Sequence, residues 1–166
     1  MQVGTFNISR GYATATSTIF VVMLLVWGYL HGGVGGHYIL HQQDLPFISN
    51  WWGLVLLPVL TWICWGRIEK RFHEKPGKKE LSRIFLLFLL GLTIGILISI
   101  SFVNEYHFFL DNVLYILALA SLIFPIYYSE FILGFVLGMI NTFGVVIPTV
   151  FILIISIVGF LIYRMI

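Results

Sequence analysis

"RIEKRFHEKPGKKELSR", residues 67–83, holds seven of the nine lysines and arginines in this chain of 166 residues. Only Arg10 and Arg164 lie elsewhere. Directly before it comes "WWGLVLLPVLTWICWG" (51–66), and directly after it "IFLLFLLGLTIGILISISFV" (84–103), neither with a single formal charge. A short basic stretch between two such runs is the pattern of a loop joining two membrane helices. Lysine and arginine collect in short cytoplasmic loops, so 67–83 is expected inside.

The rest of the chain agrees with this reading. It is 60% hydrophobic and only 10% charged, with a mean hydropathy of +1.01. Soluble domains average about 25% charged residues, so the solvent for most of this surface is lipid. The net charge of +2 describes one loop rather than a basic body, which argues against a nucleic-acid partner. Cys64 is the sole cysteine, so neither an internal disulfide nor a CxxC motif is available. The polar lead "MQVGTFNISRGYATATSTIF" runs into an apolar stretch without a small-residue cleavage site, and we read that stretch as a retained first span rather than a signal peptide.

A helix crosses about 30 Å of hydrocarbon with roughly 20 residues. On that ruler the sequence divides into six spans, at 15–36, 51–66, 84–103, 108–126, 128–142 and 145–163, forming one all-α polytopic membrane bundle. The segment 128–142 is short, and a re-entrant half-span there, with five full crossings, is the alternative. Trp51, Trp52 and Trp65 bracket the second span at interfacial depths, and Pro58 sets a kink within it. With 67–83 inside, both termini are cytoplasmic and 37–50 and 104–111 face outward. The expected location is a cell inner membrane or its equivalent. Glycines four apart recur at Gly28, Gly32 and Gly36, at Gly91 and Gly95, and at Gly134 and Gly138, a spacing that lets helix backbones approach closely.

Two readings of function follow. The outward segments gather His31, His37, His41 and His107, with Asp44, Glu105 and Asp111 beside them. If the first helix continues to residue 42, His37 and His41 project about 40° apart from one face, a spacing two metal ligands share. Imidazole and carboxylate suit zinc, copper or iron, and imidazole suits haem, which would make the protein a metal- or haem-binding oxidoreductase. The bland reading of the same residues is an interfacial turn, since GGVGG ends a helix readily and the HxxxH pair lacks the glutamate of HExxH. The second reading starts from absence: the spans contain no lysine or arginine, and Asp111 and Glu130 fall at span ends. That weighs against proton-coupled pumps and voltage sensors. With no Walker, nucleophile-elbow or other catalytic signature, the leading expectation is a non-catalytic subunit of a larger membrane assembly. Such a subunit binds or moves a small neutral or apolar solute, with the bilayer and other membrane subunits as its partners.

Overall fold

The computed structural model describes residues 9–34, 36–38, 47–106, 112–113, 115, 117, 119 and 124–165. Its elements in chain order are α1 (Arg10–Leu30), the strands β1 (Gly36–Tyr38) and β2 (Phe47–Ser49), a 3-10 turn (Asn50–Trp52), α2 (Gly53–Glu74), α3 (Lys78–Val103), α4 (Ser129–Phe143) and α5 (Val146–Met165). Among the described residues three stretches are long and apolar enough to cross a membrane: α1, the 3-10 turn continued by α2, and α3. The helical residues 112–113, 115, 117 and 119 fall where the sequence predicts a fourth span.

The polar residues at the start of α1 sit in an apolar helix because each satisfies itself locally. Thr14, Thr16 and Thr18 donate to the carbonyl four residues back, and Ser17 to the carbonyl three back. The helix stops at Leu30 rather than Gly36. Gly32 and Gly33 take φ of 118° and 107°, a left-handed region that favours glycine, and Gly33 N–H donates to the Gly28 carbonyl. Gly32 and Gly36 therefore lie outside the helix, and a Cβ at Gly28 would meet the backbone of residues 33–34 rather than another helix. The triple glycine spacing expected of the first span is no helix-packing face.

The other two glycine pairs form one seam. A Cβ on Gly95 would come within 2.6 Å of the Phe135 carbonyl oxygen, and one on Gly138 within 2.5 Å of the Leu92 oxygen. Gly91 and Gly134 are equally closed, by the carbonyls of Phe131 and Phe88. The two backbones touch, and Ser99 Oγ donates to the Gly138 carbonyl at 3.3 Å one turn further on. Because Gly91 meets Phe131 and Gly95 meets Phe135 and Gly138, α3 and α4 run parallel. The end of α3 and the start of α4 therefore lie at different levels along their shared axis.

Contacts at the two ends define a common axis. Arg10 pairs with Glu69 near one end of α1 and α2, while Val21 and Val145 close on Gly53 towards the other. Tyr127 meets Phe160 at 5.5 Å, so α5 returns towards the end where α4 began. Gly144, with φ 68°, brings the α4–α5 turn against Asn50 Oδ1. We call the end carrying 67–83 the basic end. There the expected loop is mostly helix: α2 runs on to Glu74, α3 begins at Lys78, and only Lys75–Gly77 turn. The periodic apolar residues Ile68, Phe72 and Ile84 explain the extension, since they pack together with Trp65 and continue the α2–α3 contact past the apolar runs.

Candidate functional site

At the basic end, a part-buried ion-pair network ties α2, α3 and α4 together. Glu130, in the first turn of α4, is 1% exposed. Arg71 on α2 donates from Nη2 to Glu130 Oε1 at 2.5 Å and from Nε to Glu80 Oε1 on α3 at 2.8 Å. Glu80 also faces Arg83 at 3.7 Å. The guanidinium groups of Arg71 and Arg83 lie 4.4 and 4.7 Å from the centre of the Tyr128 ring. A buried carboxylate is tolerable only when a cation and hydrogen bonds replace its lost water. The sequence placed Glu130 at a span end but did not supply its partner. The available signal was a solitary acid in an apolar third of the chain, entering on the side of the basic stretch.

Above this network, towards the middle of the bundle, α1 stands away from α3 and α4 and leaves a cleft of about 490 Å³. Phe20, Trp65, Phe88, Leu92, Leu133 and Leu137 give it a largely apolar wall. Its three hydroxyls, on Thr16, Ser17 and Thr61, donate to the carbonyls of Tyr12, Thr14 and Leu57 in their own helices, at 2.9, 2.9 and 2.8 Å. Their only hydrogens are thus already used. The wall suits an apolar guest and would leave most polar groups of a hydrophilic one unpaired.

Of the expected histidine cluster, His31 and His37 are described, and neither lies within a helix. His31 caps α1, its exposed ring stacked on Trp27 at 4.0 Å and its Nδ1 2.9 Å from the Trp27 carbonyl, which requires the proton on Nδ1. His37 lies in β1, opposite Ile48 of β2, so α1 does not continue through it as a helix. Glu105 follows the end of α3, exposed and with φ 55°. His41, Asp44, His107 and Asp111 lie outside the described residues. Among the described residues no group of three or more histidine, cysteine, aspartate or glutamate side chains is placed to hold a metal ion. The chain matches no protein-family model, no curated protein and no solved structure, so its geometry alone bears on function.

Proposed function

We propose that this chain is an integral membrane protein of six spans, and that it serves as a small non-catalytic subunit of a larger membrane assembly that binds or carries a small apolar solute. The observation that carries the solute reading is the cleft between α1 and the α3–α4 pair, whose hydroxyl hydrogens are all committed to the backbone. Six crossings are supported by the parallel run of α3 and α4, which needs an intervening return, and by α4 meeting Arg71 at its start and leading through Gly144 to Asn50 at its end. That second pair of contacts favours a full crossing by α4 over a re-entrant one. With the basic end in the cytoplasm, the C-terminus lies there too.

A brominated alkyl chain provides the direct test, because bromine quenches a nearby indole and Trp65 lines the cleft. Saturable quenching is expected in the detergent-purified protein and should vanish in Ala13→Phe/Ser17→Phe, which fills the cleft from α1. Quenching that persists unchanged in that folded variant would refute the cleft as the solute site. Side-specific tagging that finds the C-terminus opposite the α2–α3 turn would refute the six-span arrangement. Isolation from native membranes in mild detergent as a lone monomer would refute the subunit reading.

A further inference from the structure

At the α2–α3 turn a recess of about 510 Å³ is lined by Lys75, Pro76, Gly77, Lys79, Glu80 and Arg83. We propose that it binds the phosphate group of an anionic membrane lipid, an inference that rests on the basic end lying at a membrane surface. Three cations face the recess against a single acid, and that acid is already engaged. Glu80 accepts from Arg71 at 2.8 Å through one oxygen and meets Arg83 at 3.7 Å through the other. Lys75 and Lys79 have no ion-pair partner among the described residues, and both are exposed. Arg83 is held on the recess wall by Glu80 and the Tyr128 ring, so part of the positive field is fixed before any ligand arrives.

The start of α3 adds to this field. Gly77 precedes it and no side chain caps it, so the amide hydrogens of its first turn are left for an external acceptor. A phosphate has enough oxygens to meet lysine, arginine and amide donors at once, whereas one carboxylate cannot reach all of them. The lipid source follows from depth. Leu81 and Phe85 are exposed apolar side chains on α3, and Lys79 is six residues before Phe85, about 9 Å along the axis. That spacing puts the lysine at headgroup level when the two apolar side chains meet hydrocarbon.

The test is titration of the full detergent-purified chain with dioctanoyl phosphatidic acid, read by native mass spectrometry, with dioctanoyl phosphatidylcholine as the zwitterionic comparison. One phosphatidic acid is expected to bind saturably and more tightly than phosphatidylcholine. At about 1 kcal/mol per basic residue near the surface, Lys75→Gln/Lys79→Gln should weaken it roughly thirty-fold. The variant Lys70→Gln/Lys78→Gln removes the same charge from residues that do not line the recess, and should change affinity less than about three-fold. Equal loss in the two variants, with both melting as the parent does, would overturn the site in favour of diffuse surface charge. Displacement of the lipid by inorganic phosphate at comparable concentration would overturn the lipid source and assign the recess to a soluble phosphate. Quenching by the brominated chain in the cleft does not involve these lysines, so failure of either reading leaves the other measurable.

Discussion

Helices α4 and α1 are both rich in apolar residues, yet they occupy their surroundings in opposite ways. Every residue from Ser129 to Val136 is buried, and α4 touches α3 backbone to backbone. In α1 only 11% of the most apolar window is buried, against 39% for α2 and α3, and Ile19, Met23, Val26 and Trp27 are open. Hydrophobicity does not separate the two helices. What does is where glycines sit: Gly134 and Gly138 line up with Gly91 and Gly95, while Gly11 lies at the start of α1 and Gly28, Gly32 and Gly33 at or past its end. With no glycine along its middle, α1 packs on α2 but stands away from α3 and α4, and the space it leaves there, bordered by Ala13, Thr16 and Ser17, is the cleft.

The contrast should break first at the seam. Gly134→Leu places a side chain where even a Cβ would overlap the Phe88 carbonyl, so α3 and α4 must part. The expected cost exceeds about 4 kcal/mol, seen as loss of a cooperative thermal transition in detergent. Gly28→Leu, at the end of α1, should leave that transition in place.

Next in size is the network at the α4 start. Arg71→Leu leaves Glu130 buried with no cation on Oε1, and its Oε2 already lacks a hydrogen-bond partner among the described residues. Removing one member of such a pair costs about 3–5 kcal/mol. Glu130→Leu should cost less, since Arg71 keeps Glu80, and combining the two changes should recover much of the loss. A double-mutant cycle on unfolding free energy checks this, and additive effects would show that the pair is not coupled.

The smallest effect belongs to the open face of α1. Ile19→Ala should shift stability by no more than about 0.5 kcal/mol, because that side chain is 56% exposed. A larger shift in the native membrane assembly than in isolated protein would identify that face as a subunit contact.

Much of this was legible in residue order. The apolar runs anticipated the helices, and the spacing of Gly91, Gly95, Gly134 and Gly138 anticipated close packing, although not which pair met which. The ends were less legible. The basic stretch looked like a loop because charge was counted there, while Ile68 and Phe72, four apart, kept a helical period into it and packed against Ile84 just beyond it. At residues 31–36 the glycines carried both a packing spacing and a helix-stop signal, and the backbone followed the stop.

The sequence by itself determined an apolar helical chain with one basic end, because hydrocarbon length and charge placement are properties of local composition. Tertiary structure alone decided that Arg71 meets Glu130 across 59 residues, that α3 and α4 run parallel, and that α1 stands away to leave a cleft. Each of these depends on which faces meet across long stretches of chain, and no local pattern of residues specifies the partner.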